Sequence, residues 1–359
     1  MLSLTVLGSG SSGNCAVVRT ENTRLLIDAG LSGRQILLRL EAVGLKLEHL
    51  DGVLLTHEHG DHTAGLEILC RKHQVPLFAT SLTQEALMQG AFTKAKPRWR
   101  LMQTGTPFDF QDIRIECFPV PHDAVDPVGF VLTDEDSRLG VLSDVGFVTN
   151  LIRDRLRGAH SLFIEANYDG PLLEADTKRP WSTKQRISGR HGHLSNEQAA
   201  ELLQSIAHED LHHVVLGHLS DDCNCPDVVV KKMTAALHGT GAREAKVLCA
   251  KRGTPLPWLE VARRKGVVIV SVPVPEAPSA LPIPDEPVDS GEPRPAPPEN
   301  VAVSKPALEP VTSPPGAASP SVAEAGATYG TPVPPRRKQP EMPARPLIQP
   351  DFWLDTGLA

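Results

Sequence analysis

Gly52-Val-Leu-Leu-Thr-His-Glu-His-Gly-Asp-His62 is an apolar strand running into a loop crowded with metal-binding groups. Four such side chains, His57, His59, Asp61 and His62, fall within six positions. Imidazole nitrogen with carboxylate oxygen suits Zn, Mn or Fe. Alternate residues of an extended loop face the same way, so His57 and His59 can serve one ion while Asp61 and His62 turn to a second. Three more candidates end apolar runs: His122 in Pro121-His-Asp-Ala124, Asp144 in Val141-Leu-Ser-Asp144, and His218 in Val214-Val-Leu-Gly-His218. Together they have the composition of a site for two divalent ions, with Asp144 able to bridge them.

Outward from this loop, strand-like runs recur, beginning with Leu2–Leu7, Ala16–Thr20 and Leu25–Asp28 and continuing to Ala245–Cys249. Helical patterns lie between several of them, at Gly33–Ala42, Gly65–Lys72, Leu82–Gln89 and Ser195–Ala207. Ser195-Asn-Glu-Gln198 has the capping-box form and predicts a helix start just after Ser195. Strands that first gather and then alternate with helices predict an α/β protein, with sheets covered by helices.

Of the 33 prolines, 11 precede residue 271 and 22 follow it, which predicts one domain over 1–270 and a proline-rich tail. The tail, with few large apolar residues, is expected to be disordered over 271–348. Lys+Arg and Asp+Glu number 30 and 32 before residue 271 and 6 and 11 after it, so the domain is near neutral. That balance excludes a generally polybasic nucleic-acid binder and leaves local charge or metal to draw an anionic substrate. No apolar run reaches the roughly 18 residues of a membrane span, and the chain opens on a strand rather than a secretory signal. Six scattered cysteines point the same way, to a cytoplasmic protein without a membrane partner.

H-x-H-x-D-H at His57 to His62, followed in order by His122, Asp144 and His218 and preceded by Asp28 in Leu25-Leu-Ile-Asp-Ala-Gly30, resembles the metallo-β-lactamase superfold. The resemblance implies a four-layer αβ/βα sandwich of two mixed sheets with outer helices and a metal site at one edge. It assigns His57, His59, His122 and Asp144 to a first ion, and Asp61, His62, Asp144 and His218 to a second. Asp28 would orient a ligand. Gly8-Ser-Gly-Ser-Ser-Gly-Asn14, Pro121–Gly129, Glu165-Ala-Asn167, Gly192-His-Leu-Ser-Asn196 and His218-Leu-Ser220 are similar to the YycJ/WalJ family of bacterial exonucleases, over about residues 1–260. This implies a 5′ to 3′ DNA exonuclease of DNA repair or metabolism.

Two divalent ions about 3.5–4 Å apart activate a water and stabilise both the attacking and the leaving oxygen of a phosphodiester. Asp61, Glu165 and His193 are the expected catalytic groups. Glu165 and His193 resemble the pair that the related ribonuclease Z uses for proton donation. Lys178–Arg190 carries five positive charges, Trp181 and no acid. Arg179, Lys184, Arg186 and Arg190 are expected to grip a backbone there, with Trp181 stacking on a base. Ser11, Ser12 and Asn14 of the Gly/Ser loop and Asn196 complete the expected substrate contacts. Thr93-Lys-Ala-Lys-Pro-Arg-Trp-Arg100 is a second basic and aromatic stretch.

Other chemistries are open to the same ligands: a glyoxalase-type thioesterase, a cyclic-phosphate hydrolase, or a metal-binding scaffold without catalysis. Only about fifty residues of the domain follow His218, too few for the helical substrate domain that glyoxalase-type enzymes add. Cys223 and Cys225 are expected to be inert thiols. Gln349-Pro-Asp-Phe-Trp-Leu354, within 349–359, resembles the short peptide with which bacterial DNA-metabolism proteins bind the replication sliding clamp.

Overall fold

Fully buried apolar runs with short turns between them build two seven-stranded sheets in the computed structural model, which describes residues 1–261. The expected spacer 271–348 and terminal peptide 349–359 lie outside the described residues, as does the end of the 1–270 domain.

The first sheet contains β1 (Ser3–Gly8), β2 (Cys15–Arg19), β3 (Arg24–Ile27), β4 (Gly52–Leu54), β5 (Pro76–Ala79) and β6 (Arg98–Leu101), in that order. The second runs from β7 (Phe108–Phe110) through β8 (Ile113–Pro119), β9 (Val128–Thr133), β10 (Arg138–Leu142), β11 (Ser161–Glu165) and β12 (His213–Gly217) to β13 (Lys246–Cys249). β14 (Leu259–Glu260) returns to pair with β1, Glu260 opposite Ser3. Each sheet joins an antiparallel part to a parallel part. In the first, β3 to β6 are parallel; in the second, β10 to β13 are.

Between the sheets lies a core that includes Leu4, Val18, Leu54, Phe130, Val141 and Val215. The outer face of the first sheet is covered by α1 (Gly33–Ala42) and α3 (Leu66–Lys72), whose Ile36, Leu40, Leu66 and Leu69 are buried against it. Over the second pack α5 (Asn150–Leu156), α8 (Asn196–Ile206) and α9 (Pro226–His238). Helix, sheet, sheet, helix gives four layers, as expected. In α8, Ser195 accepts from the Gln198 N–H and the Gln198 side chain accepts from the Ser195 N–H, the anticipated capping box.

Other elements carry weak patterns and were not anticipated. α2 (Gly60–Thr63) lies within the metal loop itself, and α4 (Ser81–Met88) starts one residue before its expected Leu82. Both α6 (Gly170–Ala175) and α7 (Trp181–Ile187) are short, and the Val228-Val-Val230 run hides the helical character of α9. β6 and β7 are half-exposed edge strands without an apolar run.

Parallel strands deliver their C-terminal ends to one edge. Asp28 follows β3, His57 follows β4, Asp144 follows β10, Glu165 closes β11 and His218 follows β12. The backbone of the metal loop is pinned there: the Asp61 carbonyl accepts from the Asn14 N–H at 2.8 Å and the His62 carbonyl from the Ala29 N–H at 2.8 Å. Gly30 lies so close beneath that a Cβ on it would fall 1.6 Å from the Asp61 carbonyl oxygen. Backbone cannot yield as a flexible side chain does, so Gly30→Ala is expected to cost about 3 kcal/mol or more. Urea unfolding of the two proteins measures it, and a midpoint equal to that of the wild type would refute the close approach.

Candidate metal centre

Seven predicted ligands converge at this edge. His57, His59 and His122 bring ligand atoms within 4.8 Å of one another, as do His57, His62 and Asp144, and again Asp61, His62 and His218. His62 and Asp144 are in contact, Nε2 to Oδ2 2.9 Å. Asp61 Oδ2 lies 3.2 Å from His218 Nε2. Asp144, 2% exposed, is the common centre, its other oxygen 3.9 Å from His122 Nε2 and 3.5 Å from His218 Nδ1.

Most of these rings are held by one nitrogen. His57 Nδ1 is 2.9 Å from Thr56 Oγ1, His62 Nδ1 is 2.7 Å from Asp28 Oδ2, His122 Nδ1 is 3.0 Å from the Gly192 carbonyl and His218 Nδ1 is 3.0 Å from Glu165 Oε1. An Nδ1 partner fixes ring orientation and tautomer and leaves Nε2 to face the centre. Asp28 also accepts from Thr56, by Oδ1 from its N–H and by Oδ2 from its hydroxyl.

The donor set fits metal. Buried His57 Nε2 has no hydrogen-bond partner, a cost of about 1–3 kcal/mol that a cation would remove. Burial and the neighbouring His62 hold the His57 pKa well below the ordinary imidazole value, so it stays neutral and keeps a lone pair to give. Burial lowers His122 in the same way, against the pull of Asp144. For His218, burial opposes the charged form, but Asp144, Asp61 and Glu165 outweigh it and push the pKa up to about 10. Asp144 is held well below the carboxylate range: His218 and His62 overcome the effect of its burial.

Beside the ligands stands the second expected constellation. His193 Nδ1 lies 2.7 Å from Glu165 Oε1, and the buried Glu165 also accepts from the Val145 and Leu194 N–H groups. Burial disfavours the His193 imidazolium, but the Glu165 carboxylate and Asp144 raise its pKa above the ordinary value. Glu165 thus serves both His193 and His218, a double role not foreseen.

Residues 23–218 match the family described as Beta-lactamase superfamily domain. The chain belongs to the metallo-β-lactamase superfamily. It is 33% identical over 246 residues to "Exodeoxyribonuclease YycJ" of Bacillus anthracis, covering 68% of this chain and 93% of that protein. To "Exodeoxyribonuclease WalJ" of Streptococcus pneumoniae strain D39 it is 34% identical over 262 residues, covering 71% and 97%. Among solved structures, the metallo-β-lactamase fold protein YhfI of Bacillus subtilis matches with a TM-score of 0.55 at 18% identity, over 71% of this chain and 99% of that one. Fold, family and donor set make this superfamily member a metal-dependent hydrolase with a buried His/Asp site suited to two ions. Among the described residues no helix is long and apolar enough to cross a membrane.

The expected substrate contacts divide. Ser11 and Ser12 are exposed at the turn between β1 and β2, and Trp181 at the start of α7 is 68% exposed. Three others are turned inward. Lys184 is buried, its Nζ donating to the Glu174 carbonyl at 2.8 Å, because α7 turns this position inward. Asn196 is fully buried and exchanges hydrogen bonds with Asn224. Asn14, also buried, sets its Nδ2 3.1 Å from His62 Nε2 and accepts from Ser9 Oγ, so it braces the centre. Arg179 is paired with Asp176 and Asp222, Arg186 with Asp123, and Arg190 lies over the Phe147 ring at 4.1 Å. The sequence motifs contain Thr56, Gly192 and Asn167 without assigning them a role; Thr56 and the Gly192 carbonyl hold imidazoles, and Asn167 Nδ2 is 3.1 Å from His218 Nδ1. Cys223 is buried and Cys225 half-buried, and neither belongs to the ligand clusters among the described residues.

A pH test follows from His218. Its folded pKa of about 10 exceeds the ordinary 6.5, so in chelator-treated protein it contributes stability that is full below pH 6.5 and lost as pH rises to about 10. His62, raised by Asp144 and Asp28 against its burial, acts in the same direction. Metal loading requires neutral imidazole and removes that dependence. Thermal unfolding between these pH values should show a falling Tm for the stripped protein and a higher, flatter one for the loaded protein; equal curves would contradict the ligand assignment.

Proposed function

We propose that the protein is a nucleic-acid phosphodiesterase, a DNA exonuclease working from the 5′ end in DNA repair or metabolism. What carries the reading is the Glu165–His193 pair set against a complete ligand set, in a chain a third identical to two proteins named as exodeoxyribonucleases.

His57, His59, His122 and Asp144 would hold one ion and Asp61, His62, Asp144 and His218 the other, with Zn or Mn favoured and Fe also compatible with these donors. Bound there, two divalent ions supply a strong nucleophile at neutral pH and neutralise charge on the phosphoryl oxygens. The protein's own groups do the rest. Asp61, with its side chain 26% exposed, is the carboxylate ligand that opens toward solvent, as His59 does among the imidazoles, and it can orient the attacking oxygen. His193 has Nδ1 committed to Glu165, which leaves an Nε2 proton for the leaving sugar oxygen, and its raised pKa keeps that proton in place near neutrality. Exposed Ser11, Ser12 and Trp181 are the proposed substrate contacts from the original set, with Arg179, Arg186 and Arg190 engaging phosphate only on release from their present partners.

The test restores Zn or Mn to stripped protein and offers end-labelled duplex DNA, single strands, RNA and a thioester. Mononucleotides released from a 5′ end are the expected result, and thioester turnover without nuclease activity would overturn the proposal. His193→Ala should lower kcat about 10²–10⁴-fold while metal content stays at two per chain; an unchanged kcat would remove His193 from proton transfer.

For Gln349–Leu354 the proposed partner is the sliding clamp, by its resemblance to clamp-binding peptides. Aromatic anchors supply much of the affinity of such peptides. Retention of the full chain on immobilised clamp should be lost in Phe352→Ala/Trp353→Ala, and retention unchanged by that substitution would discard the idea.

A further inference from the structure

The basic stretch before residue 101 differs from the one around α7 in how its charges are used. Around α7 the cations are committed: Lys178 and Arg179 to Asp222, Arg186 to Asp123, Lys184 to the Glu174 carbonyl. Lys94, Lys96, Arg98 and Arg100 are all exposed, and among the described residues none of them forms an ion pair. The nearby acid Glu67 accepts from the backbone N–H groups of Thr93 and Lys94. Arg98 touches the Gln74 carbonyl at 3.4 Å and is otherwise turned to solvent.

Arg98 and Arg100 lie on β6 with Trp99 between them, while Lys94 and Lys96 precede the strand, Lys94 at a bend. Ala95 and Trp99 alternate with the cations and pack on the outer core of the first sheet, Trp99 edge-on to Phe92 at 5.8 Å. On β6 Arg98 and Arg100 therefore project on one side about 6–7 Å apart, two strand residues per step. Successive phosphates along an extended single strand are separated by a comparable distance. An edge strand needs some charge to deter pairing with another sheet, but these two arginines follow directly on exposed Lys94 and Lys96, and four exposed cations of one sign in a near-neutral domain form a basic track.

The track also points at the centre. β3, β4, β5 and β6 are parallel, so the Arg100 end of β6 lies at the edge to which β4 delivers His57. Phe78 of β5 pairs with both Leu54 and Arg100, which places Arg100 two strand spacings, about 10 Å, across the sheet from β4.

We propose that Lys94, Lys96, Arg98 and Arg100 form an accessory surface for the nucleic-acid backbone, holding the strand a few nucleotides away from the bond being cut. The proposal rests on the nuclease reading and adds to it a length requirement: short oligonucleotides reach the centre but not the track.

The experiment uses full-length, metal-loaded protein and nuclease-resistant phosphorothioate single strands of about 20 and about 4 nucleotides, sizes chosen to span or miss an accessory site. The wild type should bind the longer strand at least about ten-fold more tightly at low salt, and Lys96→Gln/Arg98→Gln/Arg100→Gln should lose most of that advantage. The slope of log affinity against log salt for the longer strand should shrink by about 2, at roughly 0.7 per phosphate contact. Lys96→Arg/Arg98→Lys/Arg100→Lys, which keeps the charge, should keep the affinity, and Tm with metal content establishes that both variants fold. Wild-type affinity and slope in the glutamine variant would overturn the track while leaving the nuclease reading intact. A wild-type chain that binds no oligonucleotide would overturn both. Binding of phosphatidylglycerol vesicles through these residues, with no loss of DNA affinity in the glutamine variant, would assign the surface to membrane and also defeat the proposal.

Discussion

Four imidazoles of the centre are each gripped at Nδ1 by a partner of their own: a hydroxyl at Thr56, a carboxylate at Asp28, a peptide carbonyl at Gly192 and a carboxylate at Glu165. That one-sided grip is what the rest of the architecture serves. Rings free to rotate could turn outward; held rings cannot, so the Nε2 atoms of His62, His122 and His218 stay turned toward Asp144 and Asp61. The strongly shifted pKa values of His57, His218 and Asp144 register the same confinement as free energy.

Confinement of this kind needs rigid mounting, and the strand ends supply it. Asp28, Asp144 and His218 each take a positive φ, 55°, 52° and 53°, at or just beyond the C-terminal ends of β3, β10 and β12. Non-glycine residues pay about 1–3 kcal/mol to remain in such a conformation, and they do so where surrounding structure over-determines it. Here the surroundings are explicit: the Asp28 N–H donates to the Leu54 carbonyl, and the His218 N–H donates to Ser9 Oγ at 2.8 Å. The sharp turn lets a side chain leave the sheet edge and swing across the mouth of the sandwich.

Much of this was readable in advance, for reasons specific to each residue. His57 to His62 stand together in the chain, so their chemistry shows as a motif; His122, Asp144 and His218 show as polar ends of buried runs. Glu165 and His193 carry no such local mark and were picked out by likeness to a family. Apart from Asp28, the supports of the imidazoles were not legible, because a carbonyl such as that of Gly192 is an acceptor every residue has, and because Asp and His at positive φ lack the glycine that usually flags such a turn. Lys184 misled for a related reason. A short helix with little apolar periodicity looks like a solvated loop, and nothing local reveals that the ammonium at its inward position caps a carbonyl. The β-branched run in α9 concealed its helix in the same way, since tertiary packing of Val229, Met233 and Leu237 overrides propensity.

Ser9 and His218 are 209 positions apart, yet one hydrogen bond joins them, and β14 closes on β1 from the far end of the domain. Contacts so distant in sequence form late, since the intervening chain must first be gathered. The histidines of residues 57–62 and His218 are therefore brought together only when the two ends of the domain have closed on each other, so the full donor set is a property of the finished fold and not of any local segment.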